Sequence, residues 1–425
     1  MKRTAFKLSH LFILFLLFLP FTKALTLDIG FPLKISELVL GALILVFFVK
    51  LTLSYKISST SVINVVLVIF LFWTTISFFI NSLWKYEYDL KEVPFRINPF
   101  FDNLLKLIYI YLSAIAFFVS SFFLKNTKQL QFWLKGAIVV SVYSWYLFLS
   151  SGLNLPYIKL FGMDENPQNL FGFIRCGTFS EGNFFGLYLL LSIAISFYIK
   201  HKKTAVFLII TTITTFSTVA LVSLSVFLLY VFRKTFFNKK IFTYPLILSP
   251  LIVLAFIMAI KSPYFQNHIY NKLTQPSNEL SSNNISKVDR TLTARIAFKQ
   301  GLNNPFFGVG PYNYGLHYDQ YNDFDTYIKN NSSWSEAFFR RIKIRAIPNN
   351  VYLEIWAEYG IVGFSIFMSF LFLLFKKTCQ SKNRFIIGGI IALLISLNAC
   401  PSFVMQFIWV FFAIPIAINN NKELE

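Results

Sequence analysis

The sequence has only three cysteines among its 425 residues, and they are far apart. Cys176, Cys379 and Cys400 lack the spacing of a metal site or a disulfide framework, so they indicate nothing about the redox compartment. The chain also lacks an internal repeat of fixed period and a Pro-rich or Gly/Ser-rich linker. These absences exclude a repeat protein and favour a single integral domain over residues 1–425.

Acidic residues are also scarce, with 19 Asp and Glu against 39 Lys and Arg, a net charge of +20. In a soluble protein this excess would indicate a nucleic-acid partner. However, 56% of the residues are hydrophobic, 53 are phenylalanine and the mean hydropathy is +0.60. Apolar runs of about 20 residues recur, and most basic residues punctuate them as orientation in a bilayer requires. The sequence therefore predicts an all-α polytopic membrane protein that contacts the lipid bilayer and binds no nucleic acid.

Twelve apolar runs are candidate transmembrane helices. They lie near 8–25, 34–53, 60–83, 103–124, 131–152, 183–199, 204–217, 219–233, 241–260, 351–375, 385–399 and 402–418. Helices of this length cross a hydrocarbon core of about 30 Å while satisfying their own backbone. Basic flanks at 200–203 and 233–240 both belong on the cytoplasmic side, so an even number of crossings separates them. The run 204–233 is thus either two short spans or a re-entrant hairpin that turns near 211–218.

The basic loops place both termini in the cytoplasm and two long loops outside. The smaller outer loop covers 153–182, and the larger one covers 261–348 between spans 9 and 10. The N-terminal segment also resembles a cleaved signal peptide. Cleavage would leave the sidedness of every later segment unchanged.

The larger loop contains "DRTLTARIAFKQGLNNPFFGVGPYNYG", which predicts an amphipathic helix over about 290–302, ended by Asn304-Pro305. Arg290 and Arg295 would lie on its first turns. They are either surface charges or ligands for an anion, since a guanidinium matches phosphate geometry with two hydrogen bonds. The glycines follow no strand, which argues against a nucleotide site and for a turn.

Further basic residues lie at the edges of the outer loops. The run "FRRIKIR" supplies Arg340, Arg341, Lys343 and Arg345. A basic run on the outer side is not an orientation signal, which favours an anionic ligand. In the smaller loop Arg175 lies close to Glu181, as either a solvated pair or a site arginine.

The stretch "AIPNNVYLEIWAEYG" begins a span with two asparagines and two carboxylates. Asn350 is a natural helix cap. Glu354 and Glu358 are four residues apart, so they share one helix face about one and two turns below the cap. Carboxylates at that depth either pair with a Lys or Arg of a neighbouring span or face a wet cavity, which makes both site candidates.

Three motifs resemble those of the O-antigen ligase and O-antigen polymerase superfamily. "RTLTARIAFKQGLNNPFFGVGP" is similar to its outer-loop signature, and "NNVYLEIWAEYG" is similar to a second motif that begins His-Asn. "CGTFSEGNFFGLYL" resembles the stretch before a central span. The resemblance covers roughly residues 170–375.

This resemblance implies a GT-C-type glycosyltransferase at the periplasmic face of the bacterial inner membrane. Its donor would be an oligosaccharide on undecaprenyl diphosphate, and it would need no metal and no cofactor. A flippase and a chain-length regulator would be its partners. Diphosphate is a good leaving group, so the enzyme needs to stabilise the departing charge and assist proton loss from an acceptor hydroxyl.

The resemblance assigns roles to particular residues. Arg290 and Arg175 match positions that handle the diphosphate. The weaker substrate-binding candidates are Asn350, Glu358 and four arginines that match no motif position, Arg295, Arg340, Arg341 and Arg345. Asn349 replaces the histidine that ligases carry, and asparagine takes up no proton at neutral pH. If a general base is needed, Glu354 or Glu358 would serve.

Loss of the histidine favours a polymerase that joins lipid-linked repeat units. The alternatives are a ligase that transfers the finished chain to lipid A core, and a flippase or other transporter. Transporters usually show internal repeats and ionisable groups near the bilayer midplane, whereas this chain concentrates its polar groups in one outer loop.

Overall fold

The computed structural model describes residues 8–28, 32–54, 61–82, 99–163, 167–170, 172–236, 261, 270, 274, 276–280, 285–328 and 346–420. Within these ranges the chain is mostly helical. Two short antiparallel hairpins accompany the helices and pair β1 with β2 and β3 with β4.

The first part of the chain forms α1 (Leu8–Phe18), β1 (Thr26–Asp28), β2 (Pro32–Lys34), α2 (Ile35–Ser54), α3 (Val62–Ser82), α4 (Pro99–Phe123) and α5 (Thr127–Gly152). The second part forms β3 (Asn169–Leu170), β4 (Phe173–Ile174), α6 (Gly182–Tyr198), α7 (Lys202–Thr214) and α8 (Thr218–Phe236). The last part forms α9 (Ile285–Asn303), α10 (Tyr318–Tyr321), α11 (Phe324–Tyr327), α12 (Val351–Gln380), α13 (Arg384–Ser396), a 3₁₀ turn (Leu397–Ala399) and α14 (Gln406–Asn420).

Five described helices are long and apolar enough to cross a membrane: α3, α4, α5, α8 and α12. Shorter apolar helices occur in α1, α2, α6, α13 and α14. These findings confirm a polytopic helical membrane protein. The number of crossings, the two loop boundaries and the cytoplasmic termini stay predictions, and the predicted span 241–260 lies outside the described residues.

The first predicted span, 8–25, is wrong in its second half because α1 ends at Phe18. Pro20 follows two residues later, and a proline disfavours helical backbone in the residue before it. The last span also begins later than predicted, with α14 starting at Gln406.

The apolar run 204–233 is two helices, which agrees with both predicted alternatives, two short spans and a re-entrant hairpin. Helices α7 and α8 are separated by Thr215, Phe216 and Ser217. Thr215 and Ser217 are buried, and the Ser217 Oγ accepts a hydrogen bond from the Ala220 amide at 3.2 Å. The Ser217 hydroxyl also donates to Asn183 Oδ1 of α6 at 2.8 Å. Polar side chains therefore satisfy the turn where it is buried in protein.

Helices α6 and α14 form the centre of the protein, because nearly every residue of each is buried. Helix α6 packs against α7, α8 and α13, and α14 packs against α4. Aromatic rings fill the core between these helices. Trp409 of α14 stacks on Phe370 of α12 with ring centroids 5.7 Å apart. This centre holds the ends of α4, α6 and α12 around the site described below.

The predicted amphipathic helix is confirmed as α9, which begins five residues earlier than expected. Val288, Leu292 and Ile296 are buried at every fourth position. They belong to a small hydrophobic core that is separate from the main one and includes Tyr314 and Ala357. This second core packs α9 on the first half of α12.

Candidate active site

Helix α12 is kinked at Gly360, where φ is +67°. A kink frees carbonyl groups that the next helical turn would otherwise bind. The freed carbonyls of Ala357 and Glu358 accept hydrogen bonds from the amides of Val309 and Gly310, each at 2.9 Å. In the other direction the Ile361 amide donates to the Pro305 carbonyl at 2.6 Å. The loop "NPFFGVG" is therefore joined through its backbone to the kink in α12.

Glycine is required on both sides of this joint. Gly308 has φ +67°, and a Cβ there would overlap the backbone carbonyl of Glu358. A Cβ on Gly360 would overlap the Phe306 carbonyl. The glycines of the outer loop therefore do more than form a turn, because they allow the loop backbone to approach the backbone of α12.

Helix α3 holds the joint from another side. The Ser77 hydroxyl lies 2.7 Å from the Phe307 carbonyl and 3.1 Å from that of Glu358. The Trp73 indole donates to the Tyr359 carbonyl at 3.0 Å and stacks on Phe307. These contacts fix α3, α12 and the outer loop to one another, which gives the site a rigid base.

The two predicted diphosphate-binding arginines come together, although they lie in different outer segments. Arg290 on α9 and Arg175 after β4 are both half-buried, and each interacts electrostatically with Glu181. Burial lowers the pKa of Arg290, while Asp289 and Glu181 act in the opposite direction. Burial also lowers the pKa of Arg175, and the neighbouring Arg290 cation lowers it further. Both remain cations because an arginine pKa is far above neutral.

Arg175 is positioned by the turn between α7 and α8 and by the start of α6. Its Nη1 donates to the Thr215 carbonyl at 3.0 Å, whereas its buried Nε has no hydrogen-bond partner among the described residues. The guanidinium lies against Gly182, because a Cβ there would be 3.2 Å from Nη1. The Arg290 side chain likewise makes no hydrogen bond within the described ranges, whereas its carbonyl accepts one from the Thr293 hydroxyl at 3.2 Å. The pair thus has free N–H donors for an anion.

The two asparagines have different roles. Asn350 is the N-cap of α12, since its Oδ1 accepts hydrogen bonds from the amides of Tyr352 and Leu353 at 3.0 and 3.1 Å. Asn349 donates through Nδ2 to Asp289 Oδ2 at 3.0 Å. It therefore joins the start of α12 to the residue before Arg290.

Glu354 is the carboxylate that pairs with a neighbouring helix. It is 2% exposed, and its Oε1 lies 2.5 Å from Lys106 Nζ on α4. Lys106 also lies 3.5 Å from the Ser402 hydroxyl and interacts electrostatically with Glu358, which is 2% exposed. The Oε2 of Glu354 accepts no hydrogen bond from the described part of the chain. The pairing alternative is thus confirmed for Glu354.

The loop between α13 and α14 completes the site. Cys400 interacts electrostatically with Glu354, Glu181 and Arg290, so it is a neighbour of both the Arg290 site and the buried ion pair. Burial raises the pKa of the Cys400 thiol to about 12. The thiol therefore stays protonated at neutral pH and is a neighbour of the site rather than a nucleophile.

Arg295 lies apart from this cluster. Its Nη2 is 2.6 Å from Asp323 Oδ2, and Lys299 Nζ is 2.8 Å from the same oxygen. Burial raises the pKa of Asp323, but the hydrogen bonds from Arg295 and Lys299 outweigh burial and the pKa is lowered. Arg295 is thus engaged in a tether within the outer loop. The other predicted arginines, Arg340, Arg341 and Arg345, lie outside the described residues.

Sequence reasoning missed Lys106, Asp289 and Cys400. A signal existed for Lys106, because a lysine within an apolar run is costly in a membrane and marks a partner or a site. No comparable signal existed for Cys400 or Asp289, which are ordinary residues of loops and helices in the sequence. Among the described residues no group of three or more metal-ligand side chains occurs. The absence of a metal from the reaction stays a prediction.

Three features of this arrangement determine what it can bind. Two guanidinium groups beside each other bind a doubly charged or larger anion. A carboxylate next to them, Glu181, limits the net positive charge. The buried carboxylate of Glu354 pairs with Lys106 and interacts electrostatically with Cys400. These features suit the binding of a diphosphate at the membrane surface.

Comparison with known proteins agrees with the motifs. Residues 170–368 match the family model described as O-antigen ligase. This segment contains Arg175, α9 and the first half of α12, and the match confirms the family that the motifs indicated. It implies an activity of the glycosyltransferase type. No curated protein matches the chain at a significant level.

Proposed function

We propose that this chain, whose residues 170–368 belong to the O-antigen ligase and polymerase superfamily, is an O-antigen or related surface-polysaccharide polymerase. The reaction joins oligosaccharide repeat units carried on undecaprenyl diphosphate. It takes place at the periplasmic face of a bacterial inner membrane, where both protein termini are cytoplasmic. A flippase supplies the lipid-linked units, and a chain-length regulator acts with the enzyme.

The observation that carries this proposal is that Arg175 interacts electrostatically with Arg290 and that both arginines interact with Glu181. In the transfer, the bond between the sugar C1 and the diphosphate oxygen breaks, and C1 bonds to an acceptor hydroxyl oxygen. The electron pair leaves with the diphosphate. Charge-assisted hydrogen bonds are worth roughly 1.5 to 3 kcal/mol each, so two arginines stabilise the leaving group by several kcal/mol.

The acceptor hydroxyl also loses its proton during the reaction. Asn349 cannot take that proton, and its amide is already engaged with Asp289. Glu354 is the better proton acceptor, because Lys106 holds its Oε1 while its Oε2 accepts no hydrogen bond from the described residues. Glu358, one helical turn farther along α12, is the second candidate.

Replacement of the family histidine by Asn349 favours the polymerase. A ligase is the second candidate, because the matching family model carries that description. In a ligase the same donor would transfer the finished glycan to lipid A core. The donor-binding arginines would keep their role, and only the acceptor would differ.

A gel of lipopolysaccharide from a deletion strain separates the two. Loss of a polymerase leaves core that bears a single repeat unit, whereas loss of a ligase leaves core without O-antigen. The second pattern would refute the polymerase. Reconstitution with a lipid-linked repeat unit provides a further check, since a polymerase lengthens the unit and a transporter only moves it across the bilayer.

A further inference from the structure

An exposed apolar stripe begins on the second half of α9 and continues into the loop that follows this helix. Phe298, Leu302 and Phe306 recur at every fourth position and are 51%, 55% and 65% exposed. The opposite face of α9 is buried in the small core. Phe298 and Leu302 lie on one exposed face of α9, and Phe306 follows three residues after its end. Exposed large apolar side chains that lie near one another mark an interaction surface.

The stripe continues onto the exposed face of a candidate membrane span. The Phe298 ring stacks on Trp356 of α12, with centroids 6.2 Å apart. The ring centroids of Trp356 and Phe364 in turn lie 5.8 Å apart. Farther along α12, Met368 and Phe372 are exposed. One apolar surface therefore extends from α9 down the side of α12 that no other described helix covers.

The position of the stripe along α12 places it at the edge of the hydrocarbon. The 30 residues of α12 form two segments that meet at the Gly360 kink and together amount to about 45 Å of helix, whereas the core is about 30 Å thick. Lys376 and Lys377 mark the end where α12 leaves the hydrocarbon core. Trp356 lies about 20 residues before them, near the other edge of the core. Gly301 lies against Trp356, and the Phe306 carbonyl lies against Gly360. Phe298 to Phe306 are thus at the depth where the core begins.

Trp356 itself has the environment of an interfacial tryptophan. Its ring packs on Phe298, while its indole N–H donates to the Phe298 carbonyl at 3.1 Å. An apolar ring with one satisfied polar group is typical of residues at the border between lipid and water. On α9, the charged groups of Arg295 and Lys299 are held by Asp323.

We infer that α9 is an interfacial helix whose stripe of Phe298, Leu302 and Phe306 contacts the lipid of the bilayer. The lipid chains cover apolar surface that would otherwise meet water, as in other amphipathic helices that lie in the membrane plane. Arg290 is eight residues before Phe298, about 12 Å along the helix, and is thereby held near the headgroups. The lipid contact does not depend on the proposed polymerase activity.

Spin labels on single cysteines test this inference in the full chain. Cys379 is exposed and is replaced with serine, whereas Cys176 and Cys400 are buried and stay. Labels are attached after Leu302→Cys or Phe306→Cys, and after Ser286→Cys as the control at an exposed site on the first turn of the same helix. The protein is placed in vesicles of purified phospholipid that contain no polyprenyl lipid.

Collisions of the label with oxygen, which concentrates in hydrocarbon, are compared with collisions with a water-soluble nickel chelate. We expect a higher ratio of oxygen to nickel collisions at 302 and 306 than at 286. Equal access of nickel at all three sites would show that the stripe faces water. Protection from both reagents at 302 and 306 would show that protein covers it, either another segment or a second copy. Either result overturns the inference.

Discussion

The side-chain amide of Asn349 donates a hydrogen bond to the Asp289 carboxylate over 3.0 Å. It joins the residue before the cap of α12 to the residue before Arg290. Where ligases of this superfamily are expected to carry an acid/base histidine, this chain has a tether that positions an arginine. The hydrogen bond gives this asparagine a structural contact between α9 and the start of α12.

Exchanging the two partners of this hydrogen bond tests the tether. Asn349→Asp removes this donor and places two carboxylates about 3 Å apart, which we expect to cost about 1–3 kcal/mol. Asp289→Asn alone loses only the charge. The double variant Asp289→Asn, Asn349→Asp restores a donor and an acceptor, and thermal unfolding in detergent should return close to the parent value. A double variant no more stable than Asn349→Asp would rule the tether out.

Arg290 and Arg295 lie on the same helix and should respond differently to substitution. Arg290→Ala removes a donor of the leaving-group site, so we expect long polysaccharide chains to disappear while the protein still inserts. Arg290→Lys keeps the charge but loses the two-pronged geometry, and should restore only part of the activity. Arg295→Ala is the matched control, because its partner is Asp323. The chain-length ladder on a gel measures all three, and an unaltered ladder from Arg290→Ala would exclude its role.

Replacing only one partner of the Lys106–Glu354 pair should lower the free energy of unfolding more than replacing both partners. Lys106→Met leaves a buried carboxylate without its cation, for which about 3–5 kcal/mol is typical. The double variant Lys106→Met, Glu354→Gln removes both charges and should be more stable than Lys106→Met alone. Unfolding midpoints of the parent, the single variants and the double variant give the coupling energy. Additive effects would mean that the two side chains do not interact.

Gly308 should tolerate no side chain, because the close approach of another backbone adds to the strain of its positive φ. Gly308→Ala combines a positive φ with overlap on the Glu358 carbonyl, so we expect little folded protein. Gly172 also has a positive φ, but nothing lies within 4 Å of a Cβ there. Gly172→Ala therefore isolates the cost of strain, about 1–2 kcal/mol. The yield of monodisperse protein distinguishes the two, and equal yields would mean that close backbone approach is unimportant.

Local patterns predicted the features that depend on neighbouring residues. The amphipathic period and Asn304-Pro305 predicted α9, and Asn350 predicted the cap of α12. The basic flanks predicted that α7 and α8 are separate helices. The same reasoning failed at Pro20, which was included in a span although proline ends helices.

Features that join distant residues were not accessible in this way. The sequence by itself determined a helical membrane protein, its family and two arginines worth naming, because apolar runs and motifs are local. Only the tertiary structure decided that Lys106 is the partner of Glu354, that Asp289 is the partner of Asn349 and that the glycine loop docks on Gly360. The sequence contains many lysines, carboxylates and loops that could have made each of these contacts. The packing of α3, α4, α6, α9 and α12 brought one of each within hydrogen-bond distance.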